Sequence, residues 1–399
     1  MNTDRDYGYE SEEDLIQELE VFDQAVIWST DWTSETVNNQ LRRGNIDVNP
    51  KFQRRDAWSK RQKSRFIESL ILGLPIPQII LAERKNKKGH YVVLDGKQRL
   101  LTLRQFYSRG KETGFTPLRL QGLEILSQLN GKTLQDILND IVYQQIADQL
   151  MNHTIRTIVI KNWPNEAFLY TVFLRLNTGS IRLSPQELRQ ALHPGEFIDF
   201  VDSFAISSNP IKAMLKIDQP DFRMRDNEMV IRYFMFKLFL TDYTGNLKIS
   251  FDRTVETLNA EWEQKKDDIE NLANELNSSI QFVIEVFGVR NGFSKWLPEG
   301  RFQNNFNRAI FDVMIYYFSV PGIRNRLDNR GNDIIDAFKE ICINDQEFLN
   351  AIEQTTKSTT NTAIRLNRWG EVVARLVNDK IEVPMYNEGR IVIVQSQNG

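Results

Sequence analysis

The chain has one cysteine, three histidines and no long apolar run, and each scarcity removes a class of function. With Cys342 alone, an internal disulfide and a cysteine-rich zinc site are both excluded, which fits a reducing compartment and an expected cytoplasmic location. Its setting, Glu340-Ile341-Cys342-Ile343, suits a small buried apolar side chain better than a nucleophile. His90, His153 and His193 form no pair at helical ligand spacing. That argues against an HNH-type metal nuclease or a zinc hydrolase and leaves them structural or surface roles. No stretch approaches the roughly 18–20 apolar residues that span a bilayer, so no membrane contact is expected. Met1 to Glu20 is acidic and lacks the charged-then-apolar order of an export signal.

A net charge of −3 excludes a protein that is basic all over, but the charge is patterned. Residues 4–23 hold nine carboxylates against one arginine. Residues 1–24 therefore read as an acidic arm, in which Leu15, Ile16, Leu19 and Phe22 have helical spacing. Residues 51–65 hold seven Lys and Arg against Asp56 alone. Lys51, Arg55, Lys60, Arg61 and Lys63 are the candidates for tracking a nucleic-acid backbone. A solvated helix face explains the same cluster equally well. Trp58, Trp163, Trp296 and Trp369 suit core or interdomain anchors better than base-stacking platforms.

At 399 residues the chain has room for two domains, and its texture suggests an α+β fold. A mixed α/β domain is expected over residues 25–200, a helical domain over 201–379 and a hairpin or tail over 380–399. In the first, a helix is expected from Lys60 to Leu72 and strands at Gln78 to Ala82 and Tyr91 to Leu94. A helix from about Leu100 to Tyr107, a strand from Ile155 to Ile160 and a helix from Phe168 to Leu176 follow. Ser184-Pro185-Gln186-Glu187 opens another helix with Ser as cap, Pro first and Glu third. Beyond residue 200, helices are expected at Asn227 to Leu240, Phe251 to Leu276 and Asn304 to Phe318, and a hairpin turns around Asn387-Glu388-Gly389.

The densest chemistry lies in Asp95-Gly96-Lys97-Gln98-Arg99, between a strand and a helix. Glycine there allows a ligand to approach the backbone, and the helix start offers N–H groups and a positive dipole end to an anion. Lys97 and Arg99 add cations, with Arg99 able to grip phosphate through two parallel bonds. Asp95 is placed to hold a metal ion, position a water or orient the cations. A tight turn whose charges pair with one another is the plainer reading. Gln53, Arg54, Arg175 and Asn177 lie in two loops that converge on this segment if the fold brings them there. Gly131-Lys132-Thr133 is not a P-loop, because Leu126 stands where the first glycine belongs. Glu83-Arg84-Lys85 has a nuclease-like spacing but no acidic partner nearby upstream, and reads as a surface turn.

Four blocks together resemble the N-terminal domain of GmrSD-type restriction proteins, in the ParB/sulfiredoxin-like superfamily. They are Asn49-Pro50-Lys51-Phe52-Gln53-Arg54 with Trp58; Ile67-Glu68-Ser69-Leu70 with Gly73-Leu74-Pro75-Ile76-Pro77; Tyr91 to Leu100 with Thr102-Leu103; and Phe173 to Gly179 with Leu183-Ser184 and Glu187-Leu188. They span roughly residues 30–195. The family signature is Asp-Gly-Gln-Gln-Arg, and Lys97 replaces its first Gln. The resemblance implies binding or hydrolysis of a nucleoside triphosphate with Mg²⁺, coupled to recognition of foreign or modified DNA. Asp95, Gln98 and Arg99 would then be catalytic, with Asp95 also the metal ligand. Gly96, Lys97, Gln53, Arg54, Arg175 and Asn177 would hold the nucleotide. Many relatives carry a C-terminal HNH nuclease, for which this chain lacks the histidines. A separately encoded nuclease or other defence protein, or a second copy of the chain, is then the expected protein partner. Two rival functions stay open: a non-enzymatic module gripping DNA phosphate, and a Mg²⁺-dependent nuclease using Asp95 with Glu83 or Glu187.

Overall fold

The computed structural model describes residues 25–48, 57–109, 115–166, 168–169, 171–172 and 184–397. They form two compact units that meet in sequence between Leu192 and His193. The first is mixed α/β and the second is helical with small hairpins, an α+β protein. The acidic arm, the basic residues Lys51 to Arg55, the loop carrying Arg175 and Asn177, and most of the Phe168 to Leu176 helix lie outside the described residues. No helix among the described residues is long and apolar enough to cross a membrane.

The α/β unit opens with β1 (Val26–Thr33) and α1 (Ser34–Arg42), neither of which was anticipated. Then come α2 (Lys60–Ile71), β2 (Ile79–Arg84), β3 (Lys87–Asp95), α3 (Lys97–Phe106), α4 (Leu134–Leu138), α5 (Gln144–Asn152), β4 (Thr154–Lys161) and α6 (Pro185–Leu192). The sheet order is β1-β4-β2-β3, with β2 and β4 parallel and the outer pairs antiparallel. The central pair is the most apolar: Ile79, Ile80, Leu81 and Ala82 on β2 are all buried, as are Ile155, Val159 and Ile160 on β4. Leu100, Leu101 and Leu103 bury one side of α3. The start of α2 is fixed by Ser59, whose side chain accepts from the Gln62 N–H while Gln62 reaches back to the Ser59 N–H.

The second unit contains α7 (Glu196–Ser207), α8 (Asn209–Leu215), α9 (Arg225–Leu238), α10 (Leu247–Ala260) and α11 (Trp262–Phe287). A two-residue hairpin, Trp296–Leu297 with Arg301–Phe302, precedes α12 (Arg308–Phe318), α13 (Pro321–Arg326), α14 (Gly331–Asn344), α15 (Gln346–Glu353) and α16 (Thr359–Val377). The single helix expected from Phe251 to Leu276 is two, broken at Glu261. The break seats Trp262 in the core, with its ring 5.4 Å from that of Phe200. Asn307 caps α12 from its side chain, which sets that helix start at Arg308, four residues later than expected. A terminal hairpin joins Glu382–Asn387 to Arg390–Gln395 through Glu388 and Gly389, both at positive φ, as a two-residue turn of this kind requires. Trp369 and Trp163 are buried, while Trp58 and Trp296 pack edge-on against Phe66 and Phe302, so all four act as packing residues.

Candidate functional site

Strand β3 ends on Asp95, and Gly96 turns the chain into α3 with φ 94° and ψ 12°. Only glycine adopts this left-handed conformation without strain. Space makes the same demand, since a Cβ on Gly96 would lie 3.1 Å from both Ile79 Cγ1 and Arg99 Nη2. The helix begins at Lys97, three residues before the Leu100 start expected from sequence. Lys97, Gln98 and Arg99 therefore form its first turn instead of a loop leading to it. Gly96 has no side chain to cap this helix start, which is set by backbone conformation instead.

The two cations of the motif are turned inward and paired. Lys97 Nζ donates to Glu187 Oε1 at 2.6 Å, with side chains only 8% and 5% exposed. Glu187 is itself locked into the start of α6: its Oε2 accepts the Ser184 N–H at 2.7 Å, and its own N–H donates to Ser184 Oγ at 3.1 Å. Arg99 Nη2 donates to Asp95 Oδ2 at 2.8 Å and to the Gln78 carbonyl at 3.2 Å. The motif thus carries two cations matched by two carboxylates, and electrostatics alone gives it little pull on a distant anion.

What remains unmatched is local polarity. Gln98 Oε1 and Arg99 Nε are buried without a hydrogen-bond partner on α3, as are Gln186 Nε2 and Gln190 Oε1 on α6, the helix that carries Glu187. Each such atom costs about 1–3 kcal/mol while it stays unpaired. All four lie on two helices that a buried ion pair joins. Gln186 and Gln190 carry no local signal, because polar residues on α6 match the pattern of an ordinary exposed face; Glu187 stands out in sequence as a helix cap and as a possible nuclease carboxylate, not as the partner of Lys97.

The remaining candidates divide. Lys60, Arg61 and Arg65 are exposed on α2, and Arg61 and Arg65 share the carboxylate of Glu124. Lys63 does not belong with them. It is 6% exposed and donates to Gln105 Oε1 on α3 at 2.8 Å, because it shares the inward face of α2 with Phe66 and Ile67, three and four positions on. Gln53, Arg54, Lys51, Arg55, Arg175 and Asn177 fall outside the described residues. Glu83 Oε1 accepts the Gly89 N–H at 2.9 Å, and Lys85 reaches the Pro164 carbonyl with its Nζ 4.4 Å from the Trp163 ring centre. That segment is a structural turn. Gly131 occupies a turn before Thr133, the cap of α4. Cys342 is buried, and burial pushes its thiol up to about 12, the behaviour of a packing residue.

Among the described residues, no trio of carboxylate and histidine ligand atoms gathers around Asp95. Asp95 alone is compatible with Mg²⁺, which is commonly held by one or two carboxylates together with substrate phosphates and water.

These features define an α+β protein whose α/β unit presents a strand–glycine–helix site clamped by a second helix. Residues 34–194 match the family model described as GmrSD restriction endonuclease, N-terminal domain. The matched stretch contains Asp95 to Arg99 and Glu187 alike. No curated protein and no solved structure matches the chain.

Proposed function

We propose that this chain is a component of a restriction or anti-phage defence system that binds and hydrolyses a nucleoside triphosphate at Asp95 to Arg99, with DNA as the polymer it senses. The observation that carries the reading is the left-handed Gly96 turn into α3, which has no side-chain cap, with Gln98 Oε1 and Arg99 Nε in its first turn buried without hydrogen-bond partners. The family match of the α/β unit, to the N-terminal domain of GmrSD restriction endonuclease, supports the defence context.

In this reading the first-turn N–H groups of α3 and the Arg99 guanidinium receive phosphate oxygens. Glycine at position 96 lets the phosphate approach the backbone. Lys97 acts through Glu187: the pair pins α6 against the site and holds Gln186 and Gln190 near it. Gln98 orients the attacking water through its amide. Asp95 would hold Mg²⁺, which when bound supplies charge neutralisation to the phosphates. Lys60, Arg61 and Arg65 offer the exposed basic surface for DNA.

The rival in which the loop merely grips DNA phosphate is weaker, because long-range attraction to a polyanion needs net positive charge and this motif is balanced. The nuclease alternative is weaker still, with Glu187 committed to Lys97 and Glu83 to the Gly89 N–H. The test is nucleotide turnover by purified protein beside Asp95→Asn, Gln98→Ala and Arg99→Ala, with folding checked by circular dichroism. Turnover should fall at least about 100-fold in each, the scale of losing one positioned group. Turnover that persists in all three would refute the assignment.

A further inference from the structure

The helical unit carries an open cleft that none of the preceding chemistry uses. Helices α14 and α16 wall a cleft of about 740 Å³, which Met385 and Tyr386 of the terminal hairpin also line. Along α16 its lining runs from Ala363 to Arg375, about 18 Å on helical rise. Its floor is apolar: Ile341 is 6%, Ala363 1% and Val372 7% exposed. Every polar residue that lines it, Glu340, Asn367 and Arg375 among them, is exposed or half-buried.

That distribution separates a docking surface from a small-molecule pocket. A ligand pocket fixes orientation with a few polar groups set among its apolar walls, whereas a protein interface has an apolar centre and a polar rim. The cleft has the second pattern. Beside it, Met385 and Tyr386 leave 41% and 42% of their surface in solvent, and every residue from Met385 to Arg390 is exposed. An uncovered hairpin tip thus stands next to an uncovered groove. Charge matches the two. Glu340 stands on the α14 wall and Arg375 on the α16 wall, while the tip carries Glu388 and Arg390. Among the described residues none of these four forms an ion pair. The other charges of the cleft are committed: Arg368 to Glu347 and Asp345, and Glu371 to the Gln397 N–H. Asn398 and Gly399, which follow Gln397 and lie outside the described residues, add no charged side chain.

We propose that the cleft is a homodimer interface, in which the hairpin tip of each copy enters the cleft of the other about a two-fold axis. Arg390 then meets the partner's Glu340, and Glu388 meets the partner's Arg375, while Met385 and Tyr386 of the two copies cover the apolar floors. A groove cannot close on its own copy face to face. It needs a projection, and this chain supplies one beside it. The two-fold makes each contact occur twice, so one acid and one base on groove and tip alike suffice for complementarity. A partner of one charge sign is disfavoured, because the uncommitted groups of the groove are one of each. This surface lies in the helical unit and is independent of the nucleotide reading for Asp95 to Arg99.

The experiment is light scattering on the full chain as it elutes from a sizing column, with sedimentation equilibrium to give the dimer dissociation constant. The mass should rise towards twice 46.7 kDa as concentration increases. Variants are Met385→Asp with Tyr386→Asp, Glu340→Arg, Arg390→Glu, and the swap that combines the last two. All four positions are exposed, so folding should hold, and circular dichroism checks it. Met385→Asp with Tyr386→Asp should be monomeric at every concentration. Each single reversal sets like charges opposite one another at two symmetric points and should raise the dissociation constant by roughly ten-fold or more. The swap should recover most of that loss, because it exchanges the signs and keeps the pair. A wild-type chain that stays monomeric, a dimer that survives Met385→Asp with Tyr386→Asp, or a swap no tighter than its two single variants each overturns the proposal.

Discussion

Lys97 and Glu187 are ninety positions apart in sequence, yet their side chains meet at 2.6 Å in a buried ion pair that ties the first turn of α3 to the first turn of α6. Lys97 therefore adds no free charge to the motif and acts as a strut between two helices. Arg99 with Asp95 repeats the logic across one helical turn, so the motif is rigid and neutral before any ligand arrives.

Breaking that strut should be costly, because either partner left alone is a buried charge that has lost its ion pair. Glu187→Ala is expected to destabilise the α/β unit by about 3–5 kcal/mol, and the double change Lys97→Met with Glu187→Leu to recover most of the loss. Urea unfolding followed by tryptophan fluorescence measures both. A loss below about 1 kcal/mol for Glu187→Ala would show the pair to be solvent-like in strength, as surface pairs are.

Gly96→Ala tests backbone and space together. The residue must keep a left-handed φ and hold a methyl group 3.1 Å from Ile79 and from Arg99. The conformational part alone costs about 1–2 kcal/mol. Displacing Arg99 should also break its bond to Asp95. Nucleotide affinity is expected to fall more than stability does, and an alanine variant with wild-type affinity would show that the phosphate does not approach this backbone.

Legibility tracked locality. Glycine at the end of a strand, Ser184 with Glu187 at a helix start, and the Asn387-Glu388-Gly389 turn all carry their cause within four residues, and each was readable. The start of α3 was misplaced because Lys-Gln-Arg looks like a polar loop; Gly96 caps the helix by conformation, not by a side-chain bond. The break at Glu261 has no glycine or proline to announce it, and it depends on where Trp262 finds the core. Lys63 was assigned to a basic surface by composition, whereas its partner Gln105 comes from another helix. The pairing of Lys97 with Glu187 is of the same kind, since a contact across ninety residues is written in neither neighbourhood.

Alkaline pH should loosen the α/β unit through Tyr107. Burial pushes its phenol up to about 12, a rise that its 2.7 Å hydrogen bond with Ser34 Oγ partly offsets. A folded pKa above the unfolded value near 10 means that the native state holds its proton longer. This stabilisation is complete below pH 10 and is lost as pH rises from 10 towards 12, by an amount on the order of 2 kcal/mol. Tyr107→Phe is expected to flatten that part of the stability–pH curve, measured by urea midpoints at pH 9, 10 and 11. An identical slope in the variant would remove Tyr107 as the cause.

The helical unit has its own buried charge network, and its arithmetic is uneven. Asp312, with no exposed side-chain surface, accepts from Arg232 Nη2 at 2.7 Å and from Arg365 Nη2 at 3.0 Å. Both guanidiniums are 1% exposed. Arg365 also donates to the Thr356 carbonyl at 2.6 Å, which ties α16 to the segment before it. One carboxylate thus serves two cations, so Asp312→Ala removes the acceptor that both share and should cost about 3–5 kcal/mol. Asp312→Asn keeps the shape and an acceptor but loses the charge, and should fall between wild type and alanine. Replacing all three by Arg232→Met, Asp312→Leu and Arg365→Met removes the three buried charges, and the unit should regain most of its stability. Thermal unfolding of the four proteins orders them. If alanine and asparagine destabilise equally, the acceptor geometry is irrelevant and charge alone holds the three helices; if neither destabilises, the network contributes nothing to folding.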